Sequence, residues 1–485
     1  MKNIFKYINV LIAIMLLTSC EDYLDVNVDP NNPTTVTPDL VLPVAQKYTA
    51  NLIQGTDGGG RRANTLGNML MYNWSQSDGF AWYPDEFKYN VTSSFYAGIF
   101  SNSYTQALKQ YHLLTMLDAE YDNYKAIGMI MKAYHFQLLV DFYGDVPYSE
   151  ALGRKDNATP IYDEASFIYS DLVTQLTEAI ALIKNSTNAI VPAEDDAIFG
   201  GEMDEWIKFA NTIKLRIAVR GSNTAAISEA FAESAGFITD DVLVNPGYSK
   251  DEGKQNPLWN LYAEDASDVL TLTSKATCAT DYVLNYLTNT GDVRIDYIYE
   301  RPSSGHLGVV QGLLDYDTPV VDAFVPENVS NLGPGIIKSE TMGANIFTLA
   351  ESYFNQAEAA LAQTSLGDAQ TFYESGIQAS FDYLGASGAS SYYGQNISNV
   401  SWASSSNKLE AIITQKWVAT NGITAEQSWF DYNRTGYPSG LPISSQATSS
   451  DRPVRLYYPA SELSSNGANV PSQPDAFSAK VFWAN

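Results

Sequence analysis

Thiols and imidazoles are nearly missing from this sequence. Its 485 residues include two cysteines, Cys20 and Cys278, and three histidines, His112, His135 and His306. Two cysteines exclude a disulfide framework. A zinc site would have to collect scattered residues. No local motif sets a cysteine or serine beside a histidine for nucleophilic catalysis. His135 falls inside an apolar helical run and reads as a packed core residue. Basic charge is scarce too: 28 Lys and Arg stand against 55 Asp and Glu, a net charge of −27. That imbalance disfavours nucleic acid and anionic membrane surfaces as partners. What is present is apolar and aromatic. Hydrophobic residues make up 45%, charged residues 17% and aromatics 12%, with 32 tyrosines. Such a chain buries a sizeable core and is neither disordered nor fibrous. Its length suits two or three units or one large one.

The most specific local signal is the N-terminus. Lys2 and Lys6 precede an apolar stretch of ten residues, Ile8 to Leu17. That is far short of the roughly 20 residues a membrane-spanning helix needs. The stretch ends in Leu17-Thr18-Ser19-Cys20, which resembles the lipobox of bacterial lipoproteins. The resemblance implies a signal peptide over 1–19 and a lipidated Cys20 that begins the mature chain. The Glu21-Asp22 pair resembles the surface-export signal of Bacteroidetes lipoproteins. Residues 20–37 then read as lipid anchor and tether. Within them, Asp25, Asn27 and Asp29 have the spacing of an EF-hand calcium loop. Pro30 stands where that loop requires glycine, and Val36 where it requires glutamate. A turn-rich tether fits better. No cofactor is expected, and calcium has only this weak support.

Beyond the tether, helical periodicity dominates. Lys125 to Tyr143 carries two apolar stripes, one through Met129, Phe136 and Val140 and another through Ile127, Ile130 and Leu138. A helix with two such stripes packs on two sides. It stops at Gly144, with Pro147 shortly after. Phe167–Ile183, Glu205–Arg220, Asn345–Ala362, Gln370–Leu384 and Lys408–Thr420 repeat the helical period. Trp206 and Trp417 lie on apolar faces and read as core. Helices in apparent pairs predict a mainly α fold, with a tetratricopeptide-like helical-pair scaffold. The scaffold is expected at about 38–54, 105–235 and 344–434. Loop-rich parts are expected at 55–104, 236–343 and 435–485, the excursion forming the ligand face. Residues 38–485 then read as a single intertwined domain.

Several motifs in order carry a resemblance across the chain. They are the Asp25–Thr34 follow-on to the anchor, Asp141-Phe142-Tyr143-Gly144-Asp145-Val146-Pro147-Tyr148, the Ala-rich helix from Glu351 to Ala359, and Gln415-Lys416-Trp417. Trp429-Phe430-Asp431-Tyr432-Asn433-Arg434-Thr435-Gly436-Tyr437-Pro438 and Arg455-Leu456-Tyr457-Tyr458-Pro459 complete the set. On these the chain resembles SusD/RagB-like outer-membrane nutrient-binding lipoproteins, in the branch with an RTGYP ending. The resemblance implies a non-enzymatic surface lipoprotein of the outer membrane, attached through its N-terminal lipid. It also implies a SusC-like TonB-dependent transporter as partner and glycan as cargo. A lipid-anchored glycoside hydrolase and a helical-repeat adaptor with peptide cargo are the alternatives.

The same motifs have a plain physical reading. Gly436 ends a helix and Pro438 prevents its continuation. Trp429 and Arg434 read as a core anchor and its charge partner. Glu351 and Glu358 read as solvated or salt-bridged. The Gly55–Arg62 segment lacks the Gly-Lys-Ser/Thr ending of a phosphate loop and reads as a turn.

The ligand signal is aromatic. Residues 72–96 contain Tyr72, Trp74, Phe80, Trp82, Tyr83, Phe87, Tyr89, Phe95 and Tyr96. Flat rings stack on the CH faces of sugars, while Asn, Asp and Gln bond the hydroxyls. Trp74, Trp82 and Tyr83 are the leading candidates, with Trp259, Tyr262 and Tyr392 from other loops. A small satellite core under the loops is the competing explanation for each. The negative charge argues against acidic polysaccharides as cargo unless a local basic patch offsets it.

Overall fold

The computed structural model describes residues 37–55, 60–153, 157–314 and 321–484. The expected signal peptide, Cys20, nearly all of the tether with its calcium-like spacing, and half of the Gly55–Arg62 turn lie outside the described residues.

The scaffold is helical. It begins with α1 (Pro38–Gln54), whose first position is a proline preset for helical φ. The two-striped segment becomes α3 (Asp122–Tyr143), buried almost all round, and Gly144 closes it at φ 75° with its N–H on the Val140 carbonyl at 2.8 Å. α4 (Ala165–Asn185) has one buried stripe, Ile168, Leu172, Leu176, Ala179 and Ile183, and α5 (Met203–Arg220) packs against it. The second half comprises α8 (Leu349–Ala362), α9 (Ala369–Leu384), α10 (Lys408–Thr420) and α11 (Ala425–Thr435). α8 packs on both α9 and α10, and neighbouring helices stack as pairs in a tetratricopeptide-like, mainly α fold. One large apolar cluster runs from Leu42 to Trp483 and a second from Ala350 to Ala419.

Two expectations are corrected. Asn345 to Phe347 belongs to a strand, Ala344–Phe347, and the helix starts only at Leu349. Thr348 is the reason. Its side chain accepts from the Glu351 N–H at 3.0 Å, an N-cap that fixes the helix start. The segment read as loop at 55–104 contains α2 (Ala63–Leu70), buried at every residue. Within 236–343 the structure adds α6 (Pro257–Tyr262) and α7 (Asp281–Asn289).

The strands are short and pair across long sequence distances. β1 (Trp74–Gln76) pairs antiparallel with β4 (Thr277–Ala279), Trp74 opposite Ala279 and Gln76 opposite Thr277. β2 (Val146–Pro147) pairs with Tyr162–Asp163, and β3 (Val242–Val244) pairs with the strand before α8. The β1–β4 pair joins the two loop-rich regions to each other.

Buried charge holds the helical halves together. On α3, Asp141 takes hydrogen bonds from Arg220 of α5 and from the Tyr169 hydroxyl of α4. Asp431 of α11 meets Lys416 of α10 at 2.7 Å and Arg434 at 3.3 Å, with Arg220 at 3.9 Å. Arg434 also forks onto Glu358 of α8 at 2.5 and 2.8 Å. Arg216 and Glu351 form another pair between α5 and α8 at 3.4 Å. The expected core roles of Trp206, Trp417 and Trp429 hold: each is 0% exposed, and each indole N–H has an acceptor.

His135 is also fully buried, with Nε2 2.8 Å from the Thr49 hydroxyl. Burial pushes its imidazole down to about 3. In the unfolded chain it takes up a proton near pH 6.5. Its contribution is therefore intact above about pH 6.5 and is lost as pH falls toward 3, at up to about 1.4 kcal/mol per pH unit. His135→Gln is expected to lower stability at pH 7 and to remove that one-proton slope. Urea unfolding of both proteins from pH 7 to 4 checks it; parallel profiles would refute it.

Candidate functional site

A cleft of about 660 Å³ opens in the loop-rich face, between α6, the short helix Leu272–Ala276 and residues at 300–302 and 326–337. Local sequence fixes α6. Pro257 opens it, and the Asn256 side chain accepts from the N–H groups of Leu258 and Trp259 at 2.9 and 3.0 Å. The Asn256 amide also donates to the Met342 carbonyl at 2.9 Å, tying the cap to the rest of the chain. Trp259 is thus held half-buried at the cleft wall. Tyr262, one turn later, lines the cleft but is almost fully buried. Its hydroxyl meets the Thr65 hydroxyl of α2 at 2.6 Å. Glu264, Glu300, Glu327, Asn331 and Lys275 supply polar groups around the rim. Three glutamates against one lysine, over an apolar wall, give a surface that bonds hydroxyls and repels anions.

Below this cleft lies an aromatic floor. Trp74 packs edge-on against Tyr262 with centroids 4.9 Å apart. The Tyr83 hydroxyl meets Thr277 at 2.6 Å, and the Arg61 guanidinium lies 4.9 Å over the Tyr83 ring. Trp74 and Tyr83 are 0% exposed, which corrects the expectation that they contact ligand. A ring with no open face cannot stack a sugar; these two support the face from beneath. Tyr392 is corrected for the same reason. It is buried in the second apolar cluster, its hydroxyl accepting from the Gln415 amide at 3.1 Å, with Arg294 over its ring.

Trp82 is placed differently. It is half-buried and packs edge-on against Phe80, centroids 6.2 Å apart. Its N–H donates to the Gln76 side chain at 3.0 Å and its carbonyl accepts from Arg61 at 2.9 Å. Gln76, itself buried, donates to the carbonyls of Phe80 and Leu314 at 2.9 and 2.7 Å. One glutamine thus fixes the Phe80–Trp82 loop from inside. Ser77 of the same loop donates to the Lys275 carbonyl at 2.7 Å, so the loop is tied to the cleft wall. The structure brings Trp259 and Tyr262 to one cleft, sets Trp82 on a loop tied to that cleft's wall through Ser77, and leaves Tyr392 elsewhere. Sequence reasoning missed the rim residues, because single glutamates in a loop have no period or motif.

A family model described as SusD-like, starch-binding associating with outer membrane, matches residues 30–459. The chain belongs to this family. No curated protein matches it in sequence. Among solved structures, it is similar to a chitin-binding SusD homologue from Flavobacterium johnsoniae. The two are 21% identical with a TM-score of 0.75, over 91% of this chain and 98% of that one. A SusD homologue from Bacteroides uniformis is 24% identical with a TM-score of 0.72, over 92% of this chain and 99% of that one. One from Bacteroides vulgatus is 20% identical with a TM-score of 0.75, over 91% and 97%. At these identities the likeness establishes the SusD-like fold. Residues of four of the motifs that gave the resemblance sit in its scaffold: Asp141, Glu351, Lys416, Asp431 and Arg434 are members of the buried charge pairs. The loop-rich face is built from other residues. Among the described residues, no helix is long and apolar enough to cross a membrane, and no three His, Cys, Asp or Glu side chains gather as a metal site.

Proposed function

We propose that this protein captures glycan on the loop face around Trp82 and Trp259 and passes it to a SusC-like TonB-dependent transporter. In this reading the mature chain begins at a lipidated Cys20 that holds it to the outer membrane surface. Residues 38–485 act as one unit that lends the transporter a binding lid. The observation that carries the reading is the aromatic-walled cleft of about 660 Å³ in a SusD-like chain. Trp259 and Trp82 each offer a partly open indole, and the rim offers acceptors and donors for hydroxyls. Binding without hydrolysis is expected.

A stacking tryptophan at a binding site contributes about 1–2 kcal/mol, so Trp259→Ala and Trp82→Ala are each expected to weaken glycan binding by roughly five- to thirtyfold. An array of neutral and acidic glycans identifies the ligand. Calorimetry on the variants then gives the loss, with circular dichroism as the folding control. Unchanged affinity in both variants would move the site elsewhere. Shortened glycan products after incubation would favour a hydrolase instead. Peptide binding without glycan binding would favour the adaptor. Membrane extraction supplies the second arm: an acylated Cys20 and a co-purifying TonB-dependent transporter are expected.

A further inference from the structure

The loop face has a second cleft, of about 360 Å³, walled by Arg61, Arg62, the turn Pro84–Glu86 and the segment 92–98. The acidic groups in its wall are engaged. Asp85 accepts from the Asn90 amide at 2.8 Å. Glu86 pairs with Arg61 at 3.0 Å and accepts from the Tyr96 hydroxyl at 2.9 Å. Tyr96 holds that position from a left-handed backbone, φ 51°, a strained state for a tyrosine that its surroundings must impose.

Arg62 is not engaged in this way. Among the described residues its one hydrogen bond runs from Nη1 to the Arg61 carbonyl at 2.8 Å, and it makes no ion pair. Its Nε is buried without an acceptor. Burial lowers its pKa, with only Tyr96 opposing. A guanidinium has five N–H donors, no acceptor and no accessible neutral form. Leaving it half-desolvated and unpaired costs stability. In a chain of net charge −27, carboxylates to neutralise it are plentiful, yet among the described residues none is placed on it. The hydroxyls of Thr92 and Ser94, 3.0 Å apart, line the same cleft.

We propose that this cleft binds an acidic sugar residue, the Arg62 guanidinium gripping its carboxylate while Thr92 and Ser94 bond its hydroxyls. The planar fork of arginine matches the two oxygens of a carboxylate. Arg61, next to Arg62 in the chain, joins the cleft wall to the Trp82 loop through the Trp82 carbonyl. With Arg61 neutralised by Glu86, Arg62 is the cation that lets this part of a strongly acidic protein accept acidic glycan. This inference rests on the loop face being the glycan-binding face.

The test compares oligosaccharides of galacturonic and glucuronic acid with the same chains after reduction of their carboxyl groups to alcohols. At low salt the acidic form is expected to bind at least tenfold tighter than its reduced counterpart, and the ratio should shrink as salt is raised. Arg62→Gln should bring the ratio to about one. Ser94→Glu, at an exposed position, places a competing carboxylate in the cleft and should do the same; it covers the case in which Arg62→Gln does not fold. Binding of reduced or other neutral glycans as tight as that of the acids would overturn the inference and leave the function standing. Binding of no glycan of either kind would overturn both. An acid preference that survives both substitutions would place the anion site elsewhere and also sink it.

Discussion

Asp431→Asn is expected to destabilise the protein by about 3–5 kcal/mol, the loss seen when one partner of a buried ion pair is removed. The carboxylate is almost fully buried among Lys416, Arg434 and Arg220, and these bases come from three different helices. Burial alone would raise its pKa, but the three cations overrule it and hold the carboxyl well below the usual carboxylate range. It is therefore ionised throughout the physiological range. The sign follows: its contribution is present above the unfolded carboxylate value of about 3.9 and fades only as pH falls below that. Arg220 keeps Asp141 and Arg434 keeps Glu358, but the amide leaves Lys416 buried beside a neutral group, and it is this orphaned charge that costs. Glu358→Gln should cost less, because Glu358 is nearer the surface, its side chain 13% exposed against 3% for Asp431. Adding Lys416→Met to Asp431→Asn should recover part of the loss. Urea unfolding with unchanged m-values measures all three. A loss under about 1 kcal/mol would show that water or neighbouring helices relax around the site.

Gly67→Ala is the second large effect, and its sign is contested. In a helix interior this change normally gains up to about 1 kcal/mol. Here a Cβ at residue 67 would stand 2.1 Å from the Glu426 nitrogen and 2.3 Å from the Ala425 carbonyl carbon. Both are backbone atoms at the start of α11, so no side chain can move aside. The flanking residues hold the contact tight. Asn64 donates to the Gly422 carbonyl at 2.9 Å and accepts from the Ala425 N–H at 3.2 Å, and Asn68 accepts from the Gly422 N–H at 3.0 Å. Relieving the clash means separating two helices and breaking those bonds. A net loss near the upper end of the usual 1–3 kcal/mol for overpacking is expected. Because α2 leads directly into β1 and the Trp82 loop, glycan affinity should fall with stability. A variant as stable as the wild type, measured by thermal unfolding, would contradict the close approach.

These residues show what could be seen in the sequence. α3, α4, α5, α9 and α10 were legible because amphipathic burial imposes a 3.6-residue period over many turns. α2 was not. Its sequence Ala-Asn-Thr-Leu-Gly-Asn-Met-Leu has no solvent face, and its buried asparagines bond to a chain segment more than 350 residues away. The start of α8 was misjudged since the strand at Ala344–Phe347 continues its apolar pattern, and the boundary depends on one threonine cap. On the loop face, residue type picked out the aromatics but not which rings are open. Trp74 and Trp82 are chemically alike. Only the β1–β4 pairing turns one inward and leaves the other at the surface. Arg62 gave no signal either, since its lack of an ion pair among the described residues is a property of the fold around it.

The β1–β4 pairing also limits how specificity can be exchanged between relatives. Gln76 and Ser77 reach across to 275–314, so neither excursion has its shape without the other. A chimera that imports only the first loop region from another scaffold would bring Trp82 without the partner strand that orients it, and one that imports only the second would strand Trp259 over a foreign floor. Grafts should succeed when both segments travel together as a cassette. In a lineage drifting toward a new glycan, substitutions on the two sides of this ladder should therefore arrive in matched pairs.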